Sequence, residues 1–194
     1  MSKALALATA FLAVSSPVCA DQASPWFPVP ASAVYLTGDS WIDNGVTYRL
    51  YGVQSCIRGT SFINARGVKR DCGEASLAML IALTRDLRPQ CYEAAKTPQA
   101  RTVFVFCMAQ RPNGTGISAR VDLGTALIAM GYAFAALTPD CRPVHPPYLV
   151  AQQVAEKSRA GLWAFSDLPE PNAIIFGALR AGVSAAAATG ECPR

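Results

Sequence analysis

The stretch "LTGDSWIDNGVTYRLYGVQSC", Leu36 to Cys56, decides the fold. Asn44-Gly45 stands between Ile42 and Val46, and Asn-Gly flanked by alternating apolar residues is the strongest short hairpin signal, because a type I′ turn needs positive φ at both central positions. The stretch therefore reads as two short strands around a tight turn, the second ending at Gly52. Asp39 and Arg49 lie near its ends and are the first candidates for chemistry. The chain then runs into Gln54-Ser55-Cys56, with no further acid.

Working outward, "AVYLTG" alternates as a strand should, and Ile57 to Asp71 reads as a polar, Arg-rich loop. "GEASLAMLIALTRD", Gly73 to Asp86, has apolar spacing at Leu77, Leu80, Ile81 and Thr84 and is nearly apolar all round, which predicts a well-buried helix. "RPQCYEA" opens a strand, Pro98 marks a turn, and "RTVFVFCM" is a β-branched and aromatic run suited to an interior strand. "RPNGTG" is a loop. "VDLGTALIAMG" predicts a helix capped at Asp122 and ended by Gly131. "YAFAAL" is a strand, and "YLVAQQVAEKSRAG" an amphipathic helix ended by Gly161. The order predicts a β-rich α+β fold, a small five-stranded barrel with three packed helices.

The chain has 194 residues, enough for one domain with a proper core. Residues 1–20 read as a secretory signal peptide: Lys3, an apolar "ALALATAFLAV", then Val18-Cys19-Ala20 before Asp21. A membrane anchor would need about 20 unbroken apolar residues, which are not found. Residues 21–32 are an irregular Pro- and Ser-rich segment, 33–165 the barrel domain, and 166–194 a tail of different composition with room for a short helix. Cleavage removes Cys19 and leaves six cysteines, Cys56, Cys72, Cys91, Cys107, Cys141 and Cys192. An even count in an exported chain points to disulfides, hence to a periplasmic or secreted location. No C-x-x-C occurs and His145 is the one histidine, which argues against zinc. His145, between prolines, reads as a surface residue. The formal charge of +4 falls to about +3 once Lys3 leaves, too mild to imply nucleic acid by itself.

Taken in series, these residues resemble the staphylococcal-nuclease-like, or thermonuclease, family. "TGDSW" stands where the family has D-G-D-T, "YRLYGV" where it has R-L-x-G-I, and "RDCGEAS" at the start of its first helix. "QARTVFVFC" is similar to its Y-G-R-x-V-A strand, "VDLGTALIAMGYAFA" to D-L-N-x-x-L-V-x-x-G-x-A, and "SRAGLWAF" to its closing R-x-G-L-W. The match covers Val34 to Phe165. It implies an oligonucleotide-binding (OB) type barrel which, in active members, cleaves phosphodiesters with calcium. Such chemistry needs carboxylate oxygens for a hard cation, a carboxylate base for water, and guanidinium donors for the phosphate.

By this resemblance Asp39 matches the first metal carboxylate, and Arg49 and Arg101 match the catalytic arginines. The D-x-P-E that supplies a second metal ligand and the base is missing. Without a gap, Gln54 and Ile57 fill its two acid positions; if Gln54-Ser55-Cys56 matches the family's following Q-x-C, the element is deleted. Both alignments lose both acids. A calcium site with one carboxylate belongs at best to the roughly millimolar class, and loss of a general base costs about 10²–10⁴-fold. The resemblance thus implies an exported thermonuclease-like protein without metal-dependent phosphodiesterase activity, acting as a binding or accessory module in the cell envelope and needing no cofactor. The alternative is a calcium-dependent nuclease with a rearranged metal site. Asp71 and Glu74 are conceivable substitute ligands, although Glu74 reads more simply as a charge partner of a helix N-terminus. Asp39 itself reads equally as a turn residue before Ser40.

Two cysteine spacings resemble those of secreted bacterial members and imply Cys56–Cys72 and Cys91–Cys107, the latter on adjacent strands that can reach disulfide distance. Cys141–Cys192 follows by elimination and would pin the tail. Arg58, Arg66, Lys69 and Arg70 crowd one loop, with Arg85 and Arg88 at the next helix end. They form either a nucleic-acid or anion surface or a solvated loop, since Phe62 is the loop's one aromatic and stacking platforms are not interleaved. The partner expected is nucleic acid or an envelope protein.

Overall fold

The structure, a computed structural model, describes residues 25–97, 101–112 and 118–182; of residues 110–112, 118–119 and 181–182 only the backbone is described. The expected leader (1–20), Pro98 and Cys192 lie outside the described residues. The opening hairpin forms as β3 (Ser40–Asp43) and β4 (Val46–Leu50), following β2 (Val34–Thr37). Asn44 and Gly45 both adopt positive φ, 47° and 74°, as a type I′ turn demands. A Cβ on Gly45 would meet nothing within 4 Å, so only the backbone conformation requires glycine there. Gly45→Ala is accordingly expected to lower stability by about 1 kcal/mol, read as a fall in the urea midpoint at unchanged slope.

The hairpin belongs to a curled sheet organised by one long strand. After β1 (Phe27–Pro28) come, later in the chain, β8 (Gln90–Thr97), β9 (Thr102–Pro112) and β10 (Ser118–Asp122). The sheet order is β1-β8-β9-β4-β3-β2, with β10 also on β9. Along β9, Thr102–Val105 run parallel to β4, the stretch from Met108 pairs antiparallel with β10, and β8 pairs antiparallel along Thr102–Met108. The branching leaves the sheet a curled half-barrel. Two small ribbons complete it: β5 (Val53–Ser55) with β11 (Ala133–Ala135), and β6 (Ser61–Ile63) with β7 (Lys69–Asp71).

Four helices cover this sheet. In α1 (Cys72–Leu87), Ser76, Leu77, Leu80 and Thr84 form the buried stripe. The expectation of burial all round fails at Ile81, which is 40% exposed: its neighbours on that face are Ala78 and Arg85, also exposed, and only one stripe meets the sheet. In α2 (Leu123–Ala129), the Asp122 carboxylate accepts from the Thr125 N–H at 2.7 Å, the cap its sequence predicts. The residues before it are strand β10 and were not expected as such. In α3 (Pro146–Ser158), the left-handed stop is Arg159, not Gly161; Gly161 instead opens a 3₁₀ turn, Gly161–Ala164. The tail carries α4 (Pro171–Gly182), docked where buried Asn172 donates to the Ala135 carbonyl at 3.1 Å.

The main core joins Trp41, Leu50 and Val105 of the sheet and Val53 of the β5–β11 ribbon to Leu80, Leu123, Leu127 and Tyr148 of the helices. Burial, with the Asp122 carboxylate nearby, pushes the Tyr148 phenol above the ordinary tyrosine range, so it stays neutral. A second cluster holds Cys56, Phe62, Cys72, Phe134 and Leu162. Disulfides link Cys56–Cys72 and Cys91–Cys107; the latter are direct partners in the β8–β9 register. Cys141 is also disulfide-bonded. Among the described residues no helix is long and apolar enough to cross a membrane.

The structure is thus α+β with a β-rich curled sheet, but it forms eleven strands and four α-helices among the described residues instead of five and three. Ile57 to Asp71 accounts for two of the extra strands. Its turn is closed by the Asn64 side chain, which accepts from the N–H groups of Arg66 and Val68, and by Gly67 at φ 73°. Phe27–Pro28, expected to be irregular, pairs with Cys91 and Gln90.

Candidate functional site

Strand alternation sorts β4 and β9 into two faces. Leu50 and Val105 enter the core, with Tyr48 and Val103 packed against it. Thr47, Arg49, Thr102 and Phe104 turn the other way and line a cleft of about 560 Å³. Register brings them together, since Thr47 lies opposite Thr102, Arg49 opposite Phe104, and Arg49 opposite Ser40 on its other side. Thr37, Asp39, Gln54, Ser55, Ile57, Arg58 and Thr97 complete the wall.

Asp39 is held in the β2–β3 turn, which α1 presses closely. A Cβ on Gly38 would lie 2.4 Å from the Ser76 Cβ, so only glycine lets the helix seat there. Asp39 is 2% exposed. Its Oδ1 accepts from the Thr37 hydroxyl at 2.5 Å and from Ser55 Oγ at 3.2 Å. Its Oδ2 accepts from Arg49 Nε at 2.9 Å, and Arg49 Nη2 lies 2.9 Å from the same oxygen as an ion pair. Three hydrogen bonds and an ion pair therefore fall on the two oxygens, and the carboxylate's capacity is largely used. Arg49 Nη2 also donates to Gln54 Oε1 at 2.8 Å, and Gln54 Nε2 donates to the Ser55 carbonyl at 2.9 Å. Arg49, its side chain 37% exposed, is thus oriented by an acid below and an amide beside it, with its remaining surface facing the cleft.

The residues fit a calcium ion poorly. Such an ion takes about six to eight oxygens. Asp39 is the one carboxylate in the cleft wall, its two oxygens point at donors, and a guanidinium sits 2.9 Å from one of them. Among the described residues no three of His, Cys, Asp and Glu group to hold a metal. Asp71 is spent on structure: it caps α1 through the Glu74 N–H at 2.9 Å and accepts from the Gly59 N–H at 2.7 Å. Glu74 pairs with Arg58 across 3.1 Å.

Of the expected site residues, Asp39 and Arg49 are in contact, and Arg58 lines the same cleft. Arg101 sits beside it at φ 47°, immediately before Thr102; it is exposed and pairs with no carboxylate among the described residues. Arg66, Lys69 and Arg70 are exposed on the β6–β7 ribbon, outside the cleft wall. Phe62 is core, stacked on Phe165 at 4.6 Å between centroids, and so is no platform for a base. His145, expected at the surface, is half-buried between the rings of Phe106 and Tyr148, at 5.2 and 4.5 Å, because α3 begins there and folds it onto the sheet.

Sequence reasoning missed Thr37, Thr47, Ser55, Thr97 and Thr102 as parts of the site. The period-two spacing of Thr47 with Arg49, and of Thr102 with Phe104, was a usable signal for two of them. The assembled cleft gathers the Arg49 guanidinium with serine and threonine side chains, and its one carboxylate, Asp39, is paired. Comparison with protein-family models and with curated proteins finds no match to this chain.

Proposed function

We propose that the chain is an exported, staphylococcal-nuclease-like domain of OB-barrel type that binds a phosphodiester polyanion in the Arg49 cleft without hydrolysing it, as an accessory module of the cell envelope. The observation that carries this reading is the bonding of Asp39. With donors on both oxygens and the Arg49 guanidinium paired to one of them, its carboxylate orients a guanidinium and has little capacity left for a cation. A guanidinium so oriented binds two oxygens of a phosphate at once and keeps its proton. The Thr47 side chain turns into the same cleft beside it. Exposed Arg101 adds positive charge beside the cleft, and two disulfides accord with an oxidising compartment.

The test uses oxidised mature protein with labelled single-stranded DNA and RNA, in calcium and in chelator. Binding by fluorescence anisotropy is expected under both conditions, weakening steeply with salt, and gel analysis is expected to show intact nucleic acid. Arg101→Ala, an exposed change, should weaken binding and lower the salt slope by about 1. Arg49→Lys should weaken it too, since an ammonium cannot reproduce the fork. Calcium-dependent cleavage lost in these variants would replace the proposal by a working nuclease. Absence of salt-sensitive binding to either polymer would remove it altogether.

A further inference from the structure

A second concavity of about 450 Å³ lies at the far end of the β8–β9 ribbon. The first cleft touches this ribbon at Thr97 and Thr102, the second at Gln90 and Met108, six residues along β9 and so about 20 Å away. Four separate parts of the chain build it: Trp26 before β1, Leu87 and Arg88 at the end of α1, Gln90 and Met108 on paired strands, and Arg120 on β10.

Its chemistry is two-sided. Trp26 is 51% exposed, yet its indole is held edge-on against Tyr92, with centroids 4.8 Å apart. An oriented aromatic ring half open to solvent is a surface on which a flat group can pack. The Met108 thioether and the Leu87 side chain lie in the same wall. Two arginines, Arg88 and Arg120, line the same pocket, brought together from positions 32 apart. Neither makes an ion pair among the described residues, and Asp86, the acid nearest to Arg88 in the chain, is held by Arg85 at 2.8 Å. The pocket holds no carboxylate.

We infer that this pocket is a binding site for a small aromatic oxyanion, a planar ring bearing a carboxylate or a phosphate, with the ring against Trp26 and Met108 and the charge between Arg88 and Arg120. The volume lies in the range of small-molecule sites, about 300–1,000 Å³. Two guanidinium groups suit one multi-oxygen anion, and an indole suits its ring. The site is separate from the Arg49 cleft and does not depend on what that cleft binds.

Titration of the mature, oxidised protein followed by ¹H–¹⁵N spectra tests this. The chain has three tryptophans, and Trp26→Phe assigns the Trp26 indole N–H among them. The probes are phenyl phosphate and benzoate, which share a ring and separate the two oxyanions, with benzyl alcohol as the neutral ring and inorganic phosphate as the bare anion. At least one of the aromatic oxyanions is expected to shift the Trp26 signal saturably, and benzyl alcohol and inorganic phosphate to bind at least about tenfold more weakly. Arg88→Ala and Arg120→Ala, both exposed changes, should each weaken binding about tenfold or more, and Lys157→Ala, an exposed cation elsewhere, should not. The amide spectra report whether each variant keeps its fold. The inference is overturned if neither oxyanion gives a saturable shift, if benzyl alcohol binds as tightly, or if both arginine variants bind as the parent does.

Discussion

Replacing Cys56, Cys72, Cys91 and Cys107 together by alanine is expected to remove most of the stability of this protein, about 6 kcal/mol. Each bond joins cysteines 16 residues apart, and closing a loop of that size stabilises by about 3 kcal/mol, chiefly through the unfolded chain. All four residues are at most 2% exposed and lie in the two apolar clusters, so their loss also loosens packing. Net stabilities of domains run at about 5–15 kcal/mol, so the quadruple variant should melt far below the parent or fail to fold. Each double variant should lose about half as much. Thermal and urea unfolding by circular dichroism measure this, with the Cys141 bond left intact in every variant. A quadruple variant within about 1 kcal/mol of the parent would show that the apolar clusters alone hold the sheet to α1 and β8 to β9.

Arg49→Ala should cost about 2 kcal/mol in stability as well as anion binding. The change strands Asp39, 2% exposed, with only hydroxyl donors. Breaking a fully buried pair costs about 3–5 kcal/mol, but the Arg49 side chain is 37% exposed and solvent screens part of the interaction, so the lower figure is expected. Asp39→Ala should be costly too, because the Thr37 and Ser55 hydroxyls and the Arg49 guanidinium all lose an acceptor. The double variant removes both charges, and its loss should fall short of the sum by about 1–3 kcal/mol. A double-mutant cycle by urea unfolding gives that coupling directly. Additive losses would mean that Asp39 and Arg49 act independently and that the acid does not orient the arginine.

Local chemistry made a good part of this protein legible. Asn44-Gly45 specified a hairpin because only a few residues accept positive φ at two successive positions. Asp122 announced the start of α2, and the run Val103–Met108 announced an interior strand, each through interactions within a few residues. The same locality explains the misses. Asn64 and Gly67 close a hairpin inside a stretch whose charges suggested a loop. Arg159 took the stop of α3 that Gly161 would ordinarily take.

The resemblance placed Asp39 and Arg49 as remnants of one site, and it noted that Gln54 stands where an acid is expected if no gap intervenes. It did not say that the three are bonded in a row. That follows from register: Ser40 opposite Arg49 brings the end of one strand to its neighbour, and β5 then carries Gln54 and Ser55 back beside them. The sequence by itself thus determined the Asn44-Gly45 turn, the Asp122 cap and the periodic faces, all consequences of residue type over a few positions. Only the tertiary structure decided that Asp39 uses its oxygens on Arg49, Thr37 and Ser55, that His145 is packed between rings, and that Arg88 and Arg120 share a pocket with Trp26. Those contacts join residues up to 94 positions apart, and long-range packing, not local preference, selects them.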